Sequence, residues 1–375
     1  MRRAGWATGL VVVMHGLAHA GPVSLSMEGG AEEDTNVQRV ETGLGLDTHR
    51  VASSVIRIGG KLDTHDRIAG GAYSLAASAL ARAVSADEAS SESVMLLSGE
   101  LRYLRPVEDR HVSFGIGTAY VDAFALDPNL IGARTFRNLG ADGLLVLDGG
   151  DERHLTVGLG WRDFTYKENH DFDWTGPAAS ARLDLSLWAP SGGTRSVELA
   201  AIASFEDRSF NSNALANACP PGSAPSDSCS AGTSRTRSDR SQRVGVDVTY
   251  VGKTIATVGY QLTVIDSNSF GQSLIRHRTN VSVTHSLPGG LYGTVYAILQ
   301  IDQFVDGLVV KKDLQHSDFT NLEDENRSSL QLRIGKPVSG SWSIEGRAAI
   351  WRDLGGAMSS SFKRESLYVG AIYAR

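Results

Sequence analysis

The sequence predicts an all-β protein, a transmembrane up-and-down antiparallel β-barrel of about 16 strands, within a range of about 16–18, enclosing a polar lumen. Three observations predict this fold. Apolar and polar residues alternate with a period of two along most of the chain, short and long links alternate between these segments, and charged residues recur at alternate positions within them. A period of two is typical of strands and not of helices.

The alternation is clear in the stretch VMLLSGELRYLRPVEDRHVSFGIGTAYVDA, residues 94–123. One register of its first half contains Met95, Leu97 and Leu101, and after a polar break the alternation resumes with Phe114. The same analysis of the whole chain predicts strands at 22–33, 50–63, 66–79, 94–105, 111–124, 134–148, 153–167, 177–189, 194–207, 241–252, 254–266, 274–287, 290–303, 327–337, 341–353 and 362–374.

The links favour a barrel over other all-β folds. Those after even-numbered strands are short, such as THDR, VGKT and LPGG, whereas those after odd-numbered strands are longer and polar. Periplasmic turns and extracellular loops of an up-and-down barrel alternate in this way. A Greek-key sandwich gives no reason for the alternation, and a propeller would show a four-strand repeat. We expect the two longest links, 207–240 and 304–326, to be extracellular loops able to gate the mouth.

Charged residues at alternate strand positions would be costly in a dry core, but a water-filled lumen removes that cost. The apolar registers are therefore predicted to face lipid. Aromatic residues near strand ends suit the interface girdles of a membrane barrel. Charged groups beside aromatic rings suit a sugar polymer, through ring stacking and hydroxyl hydrogen bonds. The lining of an ordinary porin, in which opposite charges hold the barrel's shape, explains any single inward residue equally well. The predicted lumen-lining residues are Glu100, Arg102, Arg162, Arg182, Asp184, Trp188, Glu198, Arg243, Asp247, Arg276, Arg278, Arg333, Glu345, Arg347 and Trp351.

The first twenty residues read as a cleaved signal peptide, with Arg2 and Arg3 before a short apolar run and Ala18-His19-Ala20 as the cleavage site. The predicted organisation is a signal peptide at 1–20 and an integral outer-membrane β-barrel at 21–375, in contact with the lipid bilayer and lipopolysaccharide. The two cysteines, Cys219 and Cys229, lie in one polar link, and a local disulfide is expected in an oxidising compartment.

The composition and motifs exclude several functions. A net charge of −6 argues against a nucleic-acid partner. No combination of nucleophile, base and orienting residue is recognisable, so we expect no enzyme and no catalytic residue. The acidic links at 169–174 and 321–326 could hold a divalent cation, but they lack the spacing of an EF-hand and are expected to be acidic for solvation alone, so we expect no metal and no cofactor. The stretch GIGTAY at 115–120 lies within a predicted strand and opens no helix, so it lacks the context of a phosphate-binding loop.

Four stretches carry a resemblance: GGAEEDTNVQRVET, SFGQSLIRHRTN, LPGGLYGTVYAILQIDQFVDG and DENRSSLQLRIGKPVSGSWSIEGRAAIW. The chain resembles the integral outer-membrane porins of polysaccharide secretion, similar to the barrel part of the poly-N-acetylglucosamine export porin and to myxobacterial exopolysaccharide-export porins. The resemblance implies export of a polysaccharide together with a periplasmic polysaccharide-export protein. The alternatives are a general or selective solute porin and a structural barrel of a motility or adhesion complex.

Overall fold

The computed structural model describes residues 22–39, 49–108, 110–127, 135–150, 153–190, 194–221, 229–305, 327–352 and 362–375. The predicted signal peptide, residues 1–20, lies outside the described residues. Residues 306–326, which make up most of the predicted gate loop 304–326, also lie outside them.

The described chain forms one closed antiparallel sheet, which confirms the predicted up-and-down barrel. Every strand pairs with its neighbours in sequence, and β1 pairs with β16, so the sheet has no free edge. The strands are β1 (Val23–Asp34), β2 (Ser53–Ile68), β3 (Gly71–Val84), β4 (Val94–Pro106), β5 (Val112–Ala125), β6 (Phe136–Asp148), β7 (Arg153–Tyr166), β8 (Trp174–Trp188), β9 (Ser196–Asn217), β10 (Ser230–Val251), β11 (Thr254–Ser267), β12 (Leu274–Leu287), β13 (Leu291–Phe304), β14 (Ser328–Ser339), β15 (Trp342–Arg352) and β16 (Lys363–Ala374).

The links alternate in length as the sequence predicts. The turn from β2 to β3 contains only Ala69 and Gly70, whose φ angles are 50° and 76°. Two positive φ angles are what a type I′ hairpin turn requires, because its twist matches that of the flanking strands. The start of β1 and the end of β16 lie at this same short-turn end, where Leu25 and Arg375 exchange backbone hydrogen bonds of 2.8 Å.

The prediction that 207–240 is a loop is wrong for most of its length. Strands β9 and β10 each have 22 residues and form a hairpin that incorporates most of this segment. Their register slips between Gly232 and Ser238, and the link after β11 is bonded to the hairpin there. Phe270 donates its backbone N–H to the carbonyl of Leu215 at 2.9 Å. Backbone hydrogen bonds hold this extension. Its residues therefore need not alternate between apolar and polar, and the sequence gives no strand pattern there.

A disulfide between Cys219 and Cys229 closes the tip of the β9–β10 hairpin. The two Cα atoms are 4.6 Å apart, and Ala218 donates its N–H to the carbonyl of Cys229 at 2.8 Å.

Short 3₁₀ segments at Asp87–Glu92, His170–Phe172 and Pro288–Gly290 interrupt three of the links. None of the helices among the described residues is long and apolar enough to cross a membrane.

Candidate functional site: the inner face of the barrel

The strand pairing defines the two faces of the barrel, because directly paired residues point to the same side of a sheet. Leu332 pairs with Val295 on β13 and with Ala348 on β15, and the latter pairs with Leu367. Large apolar side chains on this face are exposed around the barrel, including Leu332 at 45% and Leu367 at 58%. The other register carries the charged side chains. The apolar face is therefore the outer face.

Almost all the predicted lumen-lining residues lie on the inner face. For example, Arg333 pairs with Arg347, and Arg347 pairs with Tyr368, all opposite to the outer register of Leu332. The same register analysis places on the inner face Glu100, Arg102, Arg162, Arg182, Asp184, Glu198, Arg243, Asp247, Arg276, Arg278, Glu345 and Trp351.

Trp188 is the exception, and its predicted inward position is wrong. A bulge between Ser186 and Trp188 places Trp188 opposite Val197, which belongs to the outer register of β9. A bulge adds one residue to a strand, so the alternation beyond it changes face. The Trp188 side chain is 47% exposed, and its position near the short-turn end suits an interface aromatic.

A buried ion-pair network joins the first and last strands. Asp34 on β1 accepts from Arg364 on β16 at 2.8 Å and 3.0 Å, and from Arg82 on β3 at 2.6 Å. Glu32 accepts from Arg57 on β2 at 2.8 Å. These five side chains are all at least nine-tenths buried. Buried charges require such pairing, since an unpaired one would carry the full cost of desolvation.

The network continues along β13 to β16. Glu345 on β15 accepts from the Tyr292 hydroxyl at 2.9 Å and lies 3.3 Å from Arg333 Nε, and it is also bonded to Arg347. Arg347 reaches past β16 to Glu28 on β1, at 2.7 Å. The network therefore fills the inner wall on both sides of the closure between β1 and β16.

Tyr368 on β16 lies across two glycines at this closure. A Cβ on Gly30 would be 2.6 Å from the Tyr368 hydroxyl, and a Cβ on Gly370 would also contact the ring. The guanidinium carbons of Arg347 and Arg57 lie 4.7 Å and 5.5 Å from the ring centroid, within the range of cation–π contact. The glycines thus make room for an aromatic ring that the two arginines cover.

The wall from β6 to β13 has a different character. A cavity of about 510 Å³ lies against it, lined by Arg162, Arg208, Arg243, Arg276 and other mainly polar groups. Three of these arginines are held in close ion pairs: Arg162 with Asp142, Arg208 with Glu206 and Arg276 with Asp302, at nitrogen–oxygen distances of 2.7–3.0 Å. Here charged groups border open space.

An apolar cluster on the inner face was missed from the sequence. The rings of Phe136, Phe164 and Trp174 follow one another across β6, β7 and β8, with centroids 5.7 Å and 5.9 Å apart. Arg208 lies over the Trp174 ring at 4.8 Å. The available signal was the position of these rings on the same registers as the charged residues, Phe164 being two residues after Arg162. The buried members are Val94, Leu96, Ala123, Phe136, Phe164, Tyr166, Trp174 and Phe210.

Comparison with known proteins gives resemblances to solved outer-membrane protein structures. OmpF of Salmonella typhi, in a complex with daunomycin, has 11% identity, with 95% of this chain and 98% of that chain covered and a TM-score of 0.48. OprB of Pseudomonas putida has 9% identity, coverages of 99% and 97%, and a TM-score of 0.48. A loop-deletion mutant of OmpT of Vibrio cholerae has 11% identity, coverages of 95% and 100%, and a TM-score of 0.44. No protein-family model matches the chain, and no curated protein matches it.

These resemblances are weak, so the architecture rests on the chain's own strand order and pairing. A closed barrel of 16 strands with an apolar outer face and a charged inner face is a transmembrane β-barrel of the outer-membrane type. In barrels of about this strand number the interior is wide enough for an aqueous channel, whereas eight strands leave an interior that side chains fill.

Proposed function

We propose that the protein is an integral outer-membrane channel through which polar solutes pass passively. The observation that carries the proposal is the division between the two faces. Exposed leucine, isoleucine and valine side chains surround the barrel, while arginines and carboxylates occupy its inner face. Such a face needs water or ion partners, and a 16-stranded barrel has room for water.

The inner wall indicates where a solute would run. Around the closure between β1 and β16, carboxylates and guanidiniums neutralise one another and are buried, as with Asp34 and Arg364. Between β6 and β13, charged side chains border a cavity instead. The solute path therefore follows the β6–β13 wall, and the closure wall is structural.

Reconstitution in planar lipid bilayers tests this proposal. Folded barrels should produce stepwise increases in conductance in potassium chloride, and heat-denatured protein of the same concentration should produce none. A preparation that is folded and inserted but conducts no ions would overturn the channel function and favour a structural barrel.

The second candidate is a conduit for an exported polysaccharide that works with a periplasmic polysaccharide-export protein. Tyr296 favours it, because an aromatic ring beside arginine and amide side chains lines the cavity, and sugars bind to such surfaces through ring stacking and hydroxyl hydrogen bonds. Deleting the gene and measuring surface, released and periplasmic polysaccharide, with complementation, tests this role. Periplasmic retention of polymer would support it, and normal surface polymer would leave the solute channel.

A further inference from the structure

We propose that the β6–β13 wall carries a binding site for a carboxylated sugar, a uronate, with Arg243 as the group that holds the carboxylate. The inference rests on the proposed channel function and deepens it by naming the class of solute. It follows from the cavity's charge, from an unsatisfied donor on its wall and from its neutral polar lining.

Arg243 supplies the charge. It lies on the inner face of β10, paired with Ser204 on β9 and Thr263 on β11, and its side chain is exposed. Within the described part of the chain it makes no hydrogen bond or ion pair, unlike Arg162 and Arg276. A guanidinium presents paired donors that match the two oxygens of a carboxylate.

The surrounding arginines keep the site in shape. Asp142, Glu206 and Asp302 bind their guanidinium partners with two hydrogen bonds each. Asp247 also lines the cavity, and its negative charge interacts with Arg182. Asp142, Glu206 and Asp302 are therefore already paired with other arginines, which leaves Arg243 available to an anion from outside.

Trp174 supplies a second, independent indication of a ligand. It lines the same cavity and is 97% buried, and none of the described residues accepts a hydrogen bond from its indole Nε1–H. Phe164 stacks beside its ring and Arg208 lies over it, so the ring is fixed. A buried donor without an acceptor is costly, and a ligand oxygen at this edge would remove that cost.

The remaining lining suits hydroxyl groups. Side-chain amides and a hydroxyl can both donate to and accept from sugar hydroxyls, and Tyr296 offers a ring for a pyranose face. Gly245, beside Arg243, adds no side chain to the space. The cavity's volume, about 510 Å³, is within the common range of small-molecule sites. The neutral polar side chains that line it include Asn138, Gln261, Thr263 and Asn280.

Titration calorimetry of the folded barrel in detergent tests the site whether or not the barrel conducts. The probes are D-galacturonate and D-galactose, which differ in the carboxylate. Galacturonate should bind, and galactose should bind at least tenfold more weakly, because it lacks the charged partner for Arg243. The variant Arg243→Gln should weaken galacturonate binding about tenfold and leave galactose unchanged.

Two further variants make the assignment specific. Trp174→Phe removes the N–H and keeps a ring, and it should weaken galacturonate binding about threefold. Arg102→Gln is the matched control, since Arg102 lies on the inner face of β4, bonded to Thr156 and outside this cavity. It should bind galacturonate as the unaltered protein does. Equal affinity for both probes, or equal losses in Arg243→Gln and Arg102→Gln, would overturn the proposal.

The free acid and a unit of an acidic polymer share this chemistry, and bilayer recordings separate them. If trigalacturonate interrupts the current as briefly as galacturonate does, the site binds a monomer. Much longer interruptions by the trimer indicate a polymer path. A barrel that binds galacturonate but shows no conductance would retain the site and overturn the channel.

Discussion

Arg364 in the last strand binds Asp34 in the first through two nitrogen atoms, Nε at 3.0 Å and Nη2 at 2.8 Å from the same carboxylate oxygen. The side chains are 330 residues apart in sequence and nearly completely buried. Arg82 donates to that oxygen as well, at 2.6 Å. One carboxylate therefore joins β16, β1 and β3 across the closure of the barrel.

Replacing this carboxylate should destabilise the barrel strongly. Asp34→Ala leaves Arg82 and Arg364 buried with less negative charge, and breaking such a pair from one side costs about 3–5 kcal/mol. The loss of stability is measured by thermal unfolding in detergent, with the heat-dependent change in electrophoretic migration as the readout. Glu365→Gln is the control, because Glu365 binds Arg352 at the surface, where water screens the pair and its contribution to stability is small. Equal effects of the two changes would contradict the role given to Asp34.

Gly335 should not tolerate a side chain. A Cβ there would lie 2.6 Å from Tyr292 Cε1 and closer still to the hydroxyl. Gly335→Ala would push the ring away from Glu345, to which it donates at 2.9 Å, and overpacking of this kind costs about 1–3 kcal/mol. Unfolding temperatures measure it. Gly335→Ala should have little further effect in a Tyr292→Ala background, and Gly99→Ala should be harmless, because no atom would lie within 4 Å of its Cβ.

The assignment of faces predicts opposite outcomes at adjacent positions. Leu332→Arg places a cation on the outer face near the middle of β14, where it should cost about 2–4 kcal/mol in a bilayer. Gln331→Arg points into the lumen and should fold normally. Folded yield in lipid vesicles distinguishes them, and a normal yield for Leu332→Arg would contradict the outward orientation of this register.

The disulfide should stabilise the hairpin tip and leave the barrel unaffected. Cys219 and Cys229, with a sequence separation of 10, join the two strands at the end of the hairpin, so the bridge limits local opening of the tip, which is separate from unfolding of the barrel. In the double Cys→Ser variant, trypsin should cleave near Arg235 faster, while unfolding of the barrel stays unchanged. Mass spectrometry of the fragments identifies the site. The unaltered protein treated with dithiothreitol should behave like the variant, and an unchanged cleavage rate in both would show that strand pairing alone holds the tip.

The period-two pattern predicted the barrel and the inner register because lipid and water impose opposite requirements on alternate residues. Thus Arg333 lies on the inner face and its neighbour Leu332 on the outer face, as the alternation predicts. The pattern fails where that constraint is absent. Strand β9 continues to Asn217, beyond the residues that pair with β8. A single bulge in β8 moves Trp188 from the inner to the outer face.

The specific partners within the lumen could not be predicted from the sequence. Alternation predicts which strand residues point inward, but the bond between Arg364 and Asp34 depends on the register between β16 and β1, which no local pattern encodes. The cavity could not be predicted from the sequence for the same reason. Arg243 and Arg276 are similar residues in similar patterns, and only the structure shows that one has Asp302 beside it and the other is open.

The closure network makes the stability of the barrel depend on its last strand. Asp34 and Glu32 are synthesised early, yet Arg364 joins them only when the final strand has been placed, after a loop of more than 300 residues has been closed. Closure of so long a loop is entropically costly and is rewarded only at completion. An unfinished barrel would hold carboxylates without their full set of cations, so incomplete chains are distinguishable by their instability from the finished protein.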